Sequence, residues 1–200
     1  QQSACLYGLS ESIARGLAEP SWATMLPKVY FATGPFQGKT VIVAWPNEIP
    51  TPGYGDAPYL YSVWWYGSID KASPLVRPTW DMITLSNTAW YTFNRGTMSV
   101  VASKMYDSDH AYDWAVSLFA SDVAYGDATI SEMVYDVHDF KRTPEIAAHG
   151  ALVCALVEML VDPDSGDKIE VFPGTPSDWF DEGVGFKDVL ANGGILVSAS

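Results

Sequence analysis

The sequence predicts a mainly α-helical chain of helical hairpins, with short β segments near residues 39–45 and 168–197. Three observations carry this. Apolar residues occupy nearly every face from Ile146 to Val161, the mark of a helix buried all round. Pairs of helical stretches joined by short polar turns recur before it. Alternation of polar and apolar residues, the period of a half-buried strand, is confined to short runs such as Lys168–Val171.

In order, Ser3 to Ala18 reads as a helix with Leu6, Leu9, Ile13 and Leu17 on one face and Ser3 as its N-cap. Pro20 ends it, and 21–26 gives a short second helix. Val29 to Phe36 reads as irregular, and Lys39 to Trp45 as a strand. A loop dense in Pro and Gly follows from Pro46 to Pro58, holding Asn47, Glu48 and Asp56. Such loops on a rigid scaffold are where sites concentrate. Leu75 to Asn87 reads as a helix interrupted at Pro78. Met98–Met105 and His110–Phe119 read as two helices split by the polar 106–109, and Ala128–Val134 as another. Pro144 suits the first turn of the next helix, where its missing N–H is no loss.

Composition bounds the function. Two hundred residues with 48% apolar content and eight Trp make one domain of ordinary size with ample core. A net charge of −13 without a basic run makes nucleic acid and anionic membrane poor partners. No run of 18 uncharged apolar residues reads as a membrane span. Cys5 and Cys154 are an even pair but no disulfide framework, and Cys154 in an apolar helix suits a small buried thiol. The acidic, Lys-poor, aromatic-rich composition suits an extracellular, secreted protein, and Gln1-Gln2 reads either as a mature start left by signal-peptide removal or as the edge of a fragment. His138 with Asp136 and Asp139 has a spacing common on solvated faces, so no metal is expected. No P-loop, dinucleotide fingerprint or Gly-x-Ser-x-Gly occurs, and no cofactor is expected.

The last third carries the most specific pattern. Glu158-Met159-Leu160-Val161 closes the apolar run. A polar turn, 162–167, leads to the strand Lys168–Phe172. Then come Pro173-Gly174-Thr175-Pro176-Ser177-Asp178-Trp179, and Gly193-Gly194 before a last strand, Ile195–Val197. This order of helix, turn, strand, Pro-x-x-Pro-x-x-Trp and Gly-Gly resembles the end of the catalytic domain in six-hairpin (α/α)6-toroid glycosidases, notably glycoside hydrolase family 95. Pro46-Asn47-Glu48 and Pro52-Gly53-Tyr54-Gly55-Asp56-Ala57-Pro58-Tyr59 resemble a loop of the same family more loosely. On this resemblance, residues 1–167 form the helical-hairpin part of a catalytic domain and 168–200 a short β-strand segment packed on it.

The resemblance implies inverting hydrolysis of a sugar bond on polysaccharide or oligosaccharide side chains. That chemistry sets one carboxyl group as acid and another as base across the bond. Carried over, the acid falls on Asp56 and the base on Glu145. Each exchanges one carboxylate type for the other, a shift of about 1 Å that can cost on the order of 100-fold. The family's Asn next to the acid is Ala57 here, and its next Glu is Tyr59. Trp90 resembles a pocket tryptophan; His149 and Tyr59 are further candidates for substrate binding, and Glu48 is a reserve acid. The residue types also suit plainer roles: Asp56 a turn, Glu145 the dipole of a first helical turn. Trp45, Trp64, Trp65 and Trp80 could form a sugar-stacking floor or a core.

Two other readings stand beside the hydrolase. One is a non-catalytic secreted carbohydrate-binding or structural protein. The other is a polysaccharide lyase using Tyr54, Tyr59 or His149. Two hundred residues supply about half of twelve toroid helices. A partial toroid, its C-terminal half, therefore implies a second chain completing the ring, either an N-terminal half or a second copy, beside the carbohydrate substrate.

Overall fold

The computed structural model describes residues 8–9, 12–17, 21, 24, 31–52, 58–60, 63, 69–85, 92–118, 135–136, 143–144, 146–165, 168–191 and 194–200. The chain divides into two compact units, residues 1–53 with 58–86, and 54–57 with 87–200.

The first unit is built on a hairpin and a helix. Strand β1 (Thr33–Phe36) pairs antiparallel with β2 (Lys39–Ile42), Phe36 opposite Lys39. The loop between them is Gln37-Gly38, both at positive φ (47° and 78°). Two positive-φ residues give the turn whose twist matches that of paired strands. Residues 33–36, expected to be irregular, are therefore a strand; Gln-Gly is a weaker written signal for this turn than Asn-Gly. Helix α1 (Val76–Thr84) buries Val76, Thr79, Trp80, Met82 and Ile83. The Thr79 hydroxyl accepts the Ile42 N–H at 2.9 Å and donates to the Leu75 carbonyl at 2.6 Å, fastening strand to helix. Pro78 does not interrupt α1. It sits in the first turn, where backbone N–H groups have no helical partner to lose. Asp81 receives Arg77 at 2.8 Å and Lys39 at 3.3 Å, all three well exposed, so these pairs contribute under about 1 kcal/mol each. Val41, Tyr59 and Leu60 complete the core of this unit.

The second unit holds α2 (Thr92–Lys104), α3 (Ser108–Ser117) and α4 (Ile146–Leu160). Tyr106 at φ 58° ends α2, and the Asp107 side chain caps α3 by accepting the His110 N–H at 3.3 Å. This is the helical hairpin expected around 98–119. Short strands β3 (Tyr135–Asp136) and β4 (Thr143–Pro144) pair before α4. After it, β5 (Val161–Ser165) pairs with β6 (Lys168–Val171), α5 (Ser177–Asp181) follows, and β7 (Phe186–Ala191) pairs with β8 (Ile195–Ala199). Phe172 sets its ring edge-on to Phe180 and Phe186, at centroid distances of 5.2 and 5.6 Å, tying β6, α5 and β7 together.

Helices α2 and α4 meet at Gly96. A Cβ there would stand 2.5 Å from the Cβ of Ala151, so only glycine permits this approach. On α4 the buried seam is Ala151, Ala155 and Met159, spaced four apart on one face. Val153 is 60% exposed and Leu156 39%, and Cys154 is exposed. The expectations of an all-round buried helix and a buried Cys154 are thus corrected. Small residues let one face come close to α2, and the opposite face stays in solvent.

The mainly α expectation, a partial (α/α) toroid of helical hairpins, is also corrected. The described residues form a mixed α/β structure with four two-stranded antiparallel sheets between and after the helices. The expectation of a ring-completing second chain rested on that toroid. The difference lies in strands beyond the expected short β segments: β1 pairs with β2 through the positive-φ turn Gln37-Gly38, β3 pairs with β4, and 161–165, expected as a helix end and a polar turn, is a strand paired with 168–171. Leu17, placed on a buried face by its spacing, is 75% exposed. The helix expected at 128–134 lies outside the described residues. No helix among those residues is long and apolar enough to cross a membrane.

Candidate functional site

The first polar constellation lies in the first unit, on the turn after β2. Glu48 accepts the N–H of Ala44 at 2.6 Å and of Trp45 at 3.3 Å through Oε2, and the Tyr59 hydroxyl at 2.7 Å through Oε1. The Glu48 N–H donates to the Trp45 carbonyl at 3.2 Å. Both carboxyl oxygens are therefore occupied in holding a turn. A general acid must present a proton to substrate; Glu48, the reserve acid, faces donors that give protons to it. Tyr59 is 1% exposed, its ring in the core and its hydroxyl on Glu48.

The second constellation was not singled out by sequence. The Lys104 ammonium, at the end of α2, donates to Asp162 Oδ1 at 2.7 Å and lies 3.1 Å from Glu158 Oε2. The side chains are 6%, 2% and 14% exposed. Burial alone would lower the Lys104 pKa. The negative charges of Glu158 and Asp162 outweigh it and hold the ammonium above its ordinary 10.5. A lysine held protonated serves here as a cation that joins α2, α4 and β5 by charge. The signal for it was faint: one Glu in an apolar run and one Lys closing a helix, each needing a partner if buried. Nearby, Tyr106 donates to Glu170 Oε1 at 2.6 Å, which ties the end of α2 to β6.

His110 Nδ1 lies 2.9 Å from Asp107 Oδ1, with its ring against Trp114. Trp80 is core, at 1% exposure. Asp56, Glu145 and Trp90 lie outside the described residues, as do Tyr54, Trp64, Trp65, His138 and Asp139. His149 lies in α4, with its side chain outside the description. Among the described residues no three His, Cys, Asp or Glu side chains gather as metal ligands. Compared with models of known protein families and with curated proteins, the chain matches none.

Proposed function

We propose that this protein is a secreted glycoside hydrolase that removes sugars from polysaccharide or oligosaccharide side chains. The observation that supports it is the order of elements from 146 to 199. Helix α4 runs into the β5–β6 hairpin, then the Pro173-Gly174 turn, the Trp179-bearing α5, and the paired strands β7 and β8. The resemblance in the last third has a helix, a strand, the Pro-x-x-Pro-x-x-Trp segment and a last strand in this sequence; β5, where it has a polar turn, and β7 are additional to it. Asp56 is the proposed acid and Glu145 the proposed base. Incubation with aryl glycosides and plant oligosaccharides is expected to release reducing sugar of inverted anomeric configuration, read by proton NMR. Glu145→Gln and Asp56→Asn should each lower turnover at least 100-fold with circular dichroism unchanged. Full turnover in both variants would remove these residues from the reaction.

A second reading is favoured by Tyr59. It stands where the resembled family carries a Glu, and it is buried against Glu48. No free carboxyl is offered at that position, as in a protein that binds carbohydrate without cleaving it. Binding of the same oligosaccharides with no product formed would support this reading over hydrolysis.

A further inference from the structure

Among the described residues there are four tryptophans, and they differ in exposure. Trp80 and Trp114 are core, at 1% and 5% exposure, and Trp179 is half-buried against Tyr112 with ring centroids 6.0 Å apart. Trp45 is 53% exposed. An indole is amphipathic and large, and leaving it in water forgoes much of the gain its burial brings.

The backbone beneath Trp45 is fixed. Glu48 ties down the N–H groups of both Ala44 and Trp45, returns its own N–H to the Trp45 carbonyl, and is itself held by the Tyr59 hydroxyl. Asn47 completes the turn at φ 66°, a left-handed conformation that asparagine tolerates better than most residues. The turn displays Trp45, Asn47 and Ile49 to solvent, while Val43 and Pro50 on either side are buried. Four hydrogen bonds therefore fix the backbone that carries the half-exposed indole, so binding there does not have to order the turn as well.

We propose that Trp45 is a stacking platform for a pyranose ring of a neutral oligosaccharide, with Asn47, exposed two residues on in the same turn, to bond a sugar hydroxyl. A pyranose offers an apolar C–H face to an aromatic ring and polar groups at its rim, which matches an indole with an amide in the same turn. Neutrality follows from charge. The chain carries −13 overall, and no Lys or Arg lies between 40 and 70 to receive an acidic sugar. This proposal rests on the carbohydrate reading above but not on Asp56 or Glu145.

The test is titration of the natural chain with cellohexaose and xylohexaose to millimolar concentration, following indole N–H signals by NMR and heats by calorimetry. Binding of at least one hexaose is expected, with the Trp45 signal shifting. Trp45→Ala should weaken it at least tenfold, and Trp45→Phe, which keeps an aromatic face, by threefold or less. Glu48→Ala, which releases the turn but keeps the indole, should weaken it at least threefold. Failure of both sugars to bind overturns the proposal, as does Trp45→Ala binding within twofold of the natural chain. A change in oligomeric state on Trp45→Ala with sugar binding intact also overturns it and makes the turn a protein contact. Trp45-dependent binding supports the platform whether or not the aryl glycosides and plant oligosaccharides above are hydrolysed.

Discussion

Lys104 and Asp162 stand 58 residues apart in sequence and 2.7 Å apart in space, both nearly sealed from water. With Glu158 they place two carboxylates on one ammonium. Removing the ammonium takes this partner from both carboxylates at once.

Lys104→Met is accordingly expected to destabilise the protein by about 3–5 kcal/mol, because it removes the ammonium that two buried carboxylates share. Adding Glu158→Gln and Asp162→Asn to it should recover a large part of that loss by removing those charges. Urea denaturation followed by circular dichroism measures all three. A Lys104→Met chain as stable as the natural one would mean that the carboxylates reach water.

The same cluster sets an alkaline limit. The folded-state pKa of Lys104 lies above 10.5, its value in an unfolded chain. The associated stability is fully present below 10.5 and is lost as pH rises from there through the folded pKa. Denaturation midpoints between pH 9 and 12 should fall more steeply for the natural chain than for Lys104→Met. Parallel curves would refute the linkage.

Gly96→Ala pits local preference against packing. Alanine favours a helix by about 1 kcal/mol, yet its methyl group would overlap the Ala151 Cβ and lie 3.1 Å from the Ala151 carbonyl carbon. We expect a net loss of about 1–3 kcal/mol. Pairing it with Ala151→Gly should cost less than the sum of the two single changes. Strict additivity in this cycle would show that α2 and α4 do not touch there.

Tyr59→Phe removes one hydroxyl from Glu48 and should cost about 0.5–1.5 kcal/mol. Glu48→Ala strips the Ala44 and Trp45 N–H groups of their acceptor as well, so roughly twice that loss is expected. Thermal unfolding of both variants checks the ratio. An equal shift for the two would show that the backbone donors find other partners.

Legibility in the sequence followed the length of each pattern. The α2–α3 hairpin was readable because its helices are long enough to show a period and the polar 106–109 separates them. The strand at 168–171 was readable from plain alternation. β1 was not, since Thr-Gly-Pro-Phe carries no alternation and its turn is written Gln-Gly. On α4 the apolar composition was correctly read as helix, but not which face packs. Gly96 decides that from another element. Of the candidate site residues, Tyr59 was legible as an aromatic near a loop, but its bond to Glu48 spans 11 residues and has no local signature. Lys104, Glu158 and Asp162 come from three elements, and no spacing announces a contact made only by folding.

The sheets also bear on how the chain reaches its structure. Each described sheet joins two strands that are neighbours in sequence: β1 with β2, β3 with β4, β5 with β6, β7 with β8. No pairing has to wait for a distant strand to diffuse in, and hairpins of this kind close in about 1–10 μs. The long-range step among the described residues of the second unit is docking of α4 and β5 onto the end of α2, which takes Lys104, Glu158 and Asp162 out of water together.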